Sequence, residues 1–153
     1  MKQLAANSKQ FLSIIRRWQK LEDGTIKSAE GMMNKTTNPF VKTTMEMIKH
    51  DSEKHKIVLQ AISDAVTKEA PHLRPDELAS LATMLYKHME IEAQSIQLAA
   101  EAFKNSKLFV TSYFLSALLE DETKHHRMIT QLTDELKKAS ISTSTGARRR
   151  KGD

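Results

Sequence analysis

Residues 81–103 read LATMLYKHMEIEAQSIQLAAEAF, and the spacing of their apolar side chains decides the fold. Leu81, Leu85, Ile96, Ala99 and Phe103 recur at steps of three or four, which places them along one face of an α-helix. The stripe is interrupted in the middle. His88 and Glu92 fall on the same face, where a soluble helix normally buries hydrocarbon.

Working outward, three more segments show the same period. Residues 8 to 33 carry Phe11, Ile14, Ile15, Trp18, Ile26, Ala29 and Met33, and residues 39 to 67 carry Val41, Met45, Ile48, Leu59 and Ile62. The third spans 107 to 138 through Phe114, Leu118, Met128 and Leu132, and helix 3 itself is expected over 76 to 104. Asn38 before Pro39 reads as an N-cap followed by proline at the first helical position. Helices of this length reach about 40 Å, and their apolar stripes need partners. The expected fold is therefore all-α: an antiparallel four-helix bundle made of two helical hairpins, with the longest link, containing Pro71 and Pro75, in the middle.

Composition agrees. Only 4 Gly and 3 Pro occur in 153 residues, too few for a turn-rich β fold. The absence of cysteine excludes disulfide scaffolds, thiolate zinc sites and iron–sulfur clusters. No apolar run is long enough for a membrane span and no signal-type leader is evident, so a cytoplasmic protein without membrane partners is expected. The net charge of +5 is concentrated in the closing stretch ARRRKGD. With the Ser/Thr-rich residues before it, this stretch reads as a disordered basic tail over 139–153, behind a bundle over 1–138. Nucleic acid is accordingly not an expected partner.

The two halves repeat at an offset of 70 residues. Glu22 matches Glu92, Ile26 matches Ile96, Ala29 matches Ala99, Asp51 matches Asp121, Lys54 matches Lys124 and His55 matches His125. Asp64 and Lys68 match Asp134 and Lys138, which makes eight identities over 58 positions; roughly three or four would arise from composition alone. Which residues match is more informative than how many. Each helix breaks its apolar stripe near the midpoint with an acid or a histidine: Glu22, His55, His88 with Glu92, and Glu122 with His125. An isolated buried carboxylate costs several kcal/mol, whereas a cluster at one depth is stable if a cation neutralises it and histidines ligate as neutral imidazoles. Glu122-x-x-His125 puts both side chains on one face, and the oxygen and imidazole set suits iron or manganese.

The order Glu22, Thr36-Thr37-Asn38-Pro39, His55, Glu92, a short turn and Glu122-x-x-His125 resembles the rubrerythrin branch of the ferritin-like superfamily, over residues 8 to 138. The resemblance implies that Glu22 and Glu92 are single-carboxylate metal ligands, with His55, Glu122 and His125 completing the set. It implies a centre of two iron ions, or one, with manganese or zinc as alternatives. It also implies oxidase or peroxidase-like chemistry on oxygen or peroxide, with an unknown electron donor; a homodimer is a candidate partnership apart from the resemblance. The sequence departs from the family at Ser52, where a second Glu-x-x-His would have its glutamate. Asp51 and His88 are further candidate ligands that could compensate. The cysteine-rich rubredoxin-like module is absent from this sequence, so electron delivery through it is not expected. A non-catalytic helical bundle with a degenerate metal site is the alternative reading.

Overall fold

The computed structural model describes residues 2–68 and 75–148. Within them the chain is all-α: α1 (Lys2–Lys35), α2 (Pro39–Thr67), α3 (Pro75–Asn105) and α4 (Phe109–Arg148), with no strand among the described residues. α1 packs on α2 and α3 on α4, and the chain divides into two compact units, Met1–His72 and Leu73–Asp153. These are the two hairpins expected from the sequence.

The repeat reaches the helix boundaries. α1 ends at Lys35 and α3 at Asn105, while α2 begins at Pro39 and α4 at Phe109; both pairs stand 70 positions apart. The first turn is held locally. Asn38 Oδ1 accepts from Phe40 N at 2.9 Å and Val41 N at 3.4 Å, and Thr36 Oγ1 accepts from Asn38 N at 3.1 Å. These bonds satisfy amides that the start of a helix leaves without partners. Both hairpins are antiparallel. Across the first, contacts run Gln19 to Gln60, Glu22 to His55, Asp23 to Lys56 and Glu30 to Lys49. Across the second they run Tyr86 to Lys137, Met89 to Thr133 and Glu92 to His125.

Three features differ from the sequence reading. α1 starts before residue 8, and α4 continues through 139–148, the Ser/Thr-rich stretch expected to be a disordered tail. Ser and Thr lose only about half a kcal/mol per residue relative to alanine in a helix, so a helix already formed propagates through them. Residues 149–153 of the expected tail, and Pro71 of the middle link, lie outside the described residues. The third difference is Trp18, read as plain core but 50% exposed, as are large parts of Ile14, Leu118 and Met128. The buried apolar residues among the described ones are Ile15, Ala29 and Leu59, all in the first hairpin. Buried with them are polar groups: Glu22 and Ser52 in the first hairpin, Glu92 and Thr133 in the second. No described helix is long and apolar enough to cross a membrane.

Candidate metal centre

Each hairpin buries one midpoint carboxylate, and the two are treated very differently. In the first, Glu22 is 8% exposed and surrounded by donors. Trp18 Nε1 donates to Glu22 Oε1 at 2.8 Å, and His55 Nδ1 lies 3.2 Å from the same oxygen. Burial opposes ionisation of Glu22. Hydrogen bonds from Ser52 and Trp18, with the charge and hydrogen bond of His55, outweigh it and hold the carboxyl below its ordinary range. The helical period explains the convergence. Trp18 precedes Glu22 by one turn, while Ser52 and His55, three apart on α2, face it across the antiparallel seam.

In the second hairpin Glu92 is 5% exposed and meets another acid. Glu122 stands where Ser52 stands in the first. Its hydrogen bond to Glu92, burial and the charge of Glu92 push the Glu122 carboxyl above its ordinary range, against the opposing charge of His125. Glu92 Oε1 lies 2.9 Å from His88 Nε2 and 3.9 Å from His125 Nδ1. Glu92 Oε2 is buried with no hydrogen-bond partner. Glu92, Glu122 and His125 offer ligand atoms all within 4.8 Å of one another, the one such group of three among the described residues.

Each hairpin by itself brings together part of the expected set. The structure brings Glu22 to His55, and brings Glu92 to Glu122, His125 and His88. Asp51, considered as a substitute for the glutamate missing at Ser52, instead pairs with Lys54 at 2.6 Å. His88, expected on the inward stripe, is more than half exposed at its side chain (55%), although its ring reaches the buried Glu92. His50 bridges Glu46 and Glu53 on an exposed face, as a flanking position would.

The sequence reading took Trp18 as core and Ser52 as a missing carboxylate that could at most ligate through water; both act as hydrogen-bond donors to Glu22. The signal that could have found them is the repeat itself, since they match His88 and Glu122. It also accounts for a second orphan, the buried Nδ1 of His126. At the matching position Lys56 reaches Asp23, but the counterpart of Asp23 is Ala93, which offers no acceptor.

Comparison with known protein families, curated proteins and solved structures returns no match.

Proposed function

We propose that this protein binds a divalent transition-metal ion through Glu92, Glu122 and His125. The observation that carries the reading is the buried, unpartnered Oε2 of Glu92 beside a second carboxyl group. Two acids at this spacing repel unless a proton or a cation lies between them, and a buried acceptor without a donor costs roughly 1–3 kcal/mol. A cation removes both penalties. Carboxylate oxygen with imidazole nitrogen selects iron, manganese or zinc over magnesium and calcium, which prefer oxygen alone. Resemblance to the rubrerythrin branch favours iron. Iron held there would supply redox chemistry with oxygen or peroxide, the protein contributing geometry and exclusion of water.

Titration of the metal-free protein with Zn²⁺, Mn²⁺ and anaerobic Fe²⁺, followed by calorimetry, tests the proposal. At least one of these ions should bind in stoichiometric amount, and Glu122→Gln should weaken it by tenfold or more. Absence of binding by all three would leave the alternative, a non-catalytic helical protein. That reading is favoured by one observation, the complete satisfaction of Glu22 by Trp18, Ser52 and His55 without any cation. Oxidase and peroxidase assays of the iron-loaded protein then separate a redox centre from a structural ion.

A further inference from the structure

The repeat aligns two quartets of side chains. Trp18, Glu22, Ser52 and His55 in the first hairpin correspond, position by position, to His88, Glu92, Glu122 and His125 in the second. Both hairpins keep the central carboxylate and the histidine across the seam. What changes is the pair flanking them, Trp and Ser in one copy, His and Glu in the other.

That exchange alters what the carboxylate needs. An indole N–H donates only and cannot bind a cation. A serine hydroxyl is a weak, neutral oxygen donor. With these partners Glu22 receives hydrogen bonds from Trp18, Ser52 and His55, so its charge is already balanced by protein. A cation arriving there would find two ordinary ligands, Glu22 and His55, and would have to displace the donors that satisfy one of them. In the second hairpin the flanking pair adds a carboxylate and an imidazole, both ordinary transition-metal ligands, and leaves Glu92 Oε2 without a donor.

We propose that the chain holds one metal ion, entirely within the second hairpin, through His88, Glu92, Glu122 and His125, and that Trp18 and Ser52 make the first hairpin a metal-free counterpart of that site. This rests on the metal-binding reading above and deepens it by naming the fourth ligand and the number of ions.

The approach of both histidines to Glu92 suits the assignment. Ligands about 2.1 Å from a shared metal lie roughly 3.0–3.4 Å apart when adjacent. His88 Nε2 and His125 Nδ1 approach Glu92 Oε1 at 2.9 and 3.9 Å, on either side of that range. His88 stands outside the group whose ligand atoms all lie within 4.8 Å of one another, so its ring must swing from Glu92 toward Glu122 and His125 to share an ion with them. His88 and Glu92 are one turn apart on α3, and Glu122 and His125 are three residues apart on α4, so each helix presents two ligands from one face. Two nitrogens and two oxygens from two packed helices form the set, with the half-exposed histidines giving an ion a route in from solvent.

The test uses the full chain, stripped of metal with a chelator, and Co²⁺ as the probe. Its visible absorption reports ligand type, and calorimetry with Zn²⁺ reports stoichiometry. The expected result is one equivalent per chain. Glu22→Gln and His55→Ala should change the affinity by less than threefold, whereas His88→Ala and His88→Gln should each weaken it by tenfold or more and shift the Co²⁺ bands. The double variant Trp18→His with Ser52→Glu should take up a second equivalent. Far-UV circular dichroism checks that each variant keeps its helices, and two substitutions at His88 guard against a single folding defect.

Two equivalents in the unmodified chain, or loss of the first with Glu22→Gln, would overturn the one-ion assignment while leaving metal binding intact. Unchanged bands and affinity in both His88 variants would overturn the fourth ligand. No uptake of any ion would remove both this inference and the function on which it rests.

Discussion

Trp18 donates its indole N–H to Glu22, one turn ahead on the same helix, at 2.8 Å. The half-exposed ring is therefore held by its polar edge as well as by its hydrocarbon. Hydrogen bonds to charged groups contribute about 1.5–3 kcal/mol when fully buried. With the ring half in solvent, Trp18→Phe should lower stability by about 1 kcal/mol, as measured by urea denaturation. A variant as stable as the parent would show that the indole N–H contributes nothing to holding Glu22.

Glu22 and Glu122 give opposite pH dependences. Glu22 is lowered from its ordinary value of 4.5 in the folded chain. Its contribution is full above that value and is lost as pH falls through the folded one. Glu122 is raised from the same ordinary value, so the folded state holds its proton more tightly than the unfolded state does. Its contribution is present below 4.5 and is lost as pH rises through the folded value. In metal-free protein, Glu22→Gln should flatten the acid side of a Tm-against-pH curve. Glu122→Gln should remove part of the decline on the other side. The reverse assignment of the two effects would contradict the geometry.

Metal should change the sign of the Glu122 substitution. Without metal at neutral pH, Glu122→Gln relieves repulsion with Glu92 and should leave Tm unchanged or higher. At a free ion concentration about 100-fold above Kd, binding stabilises the parent by about 2.7 kcal/mol, or about 5–10 °C in Tm for a chain of this size. The variant should lose nearly all of that gain, and chelator should return the parent to its metal-free Tm.

Asn38 carries the first turn. Replacing it with alanine removes the acceptor for the Phe40 and Val41 amides and should lower stability by about 1 kcal/mol. Pro39 still sets the helical start, so the helix content seen by circular dichroism should stay near that of the parent. A large loss of helix would mean that the cap specifies the hairpin rather than merely stabilising it.

The sequence by itself determined the helices, because the information is local. A 3.6-residue apolar period, an Asn-Pro start and scarce glycine each act within a few residues, and they located α2 to the residue. The 70-residue repeat also determined which positions correspond, while the structure added that the helix boundaries share its offset. It named Glu22, His55, Glu92, Glu122 and His125 as an unusual set of polar groups on apolar stripes.

What only the tertiary structure decided is who satisfies whom. Ser52 looked like a missing ligand, and across the seam it proves to be a donor to Glu22. Trp18 looked like core, and its nitrogen is what completes that arrangement. Conversely, the presence of Glu122 opposite Glu92 leaves an oxygen buried without a donor, a fact no single helix contains. Hydrogen-bond satisfaction depends on distances of tenths of an ångström between residues some 30 positions apart. Those distances are set by the register of two packed helices, which the period of either helix alone does not specify.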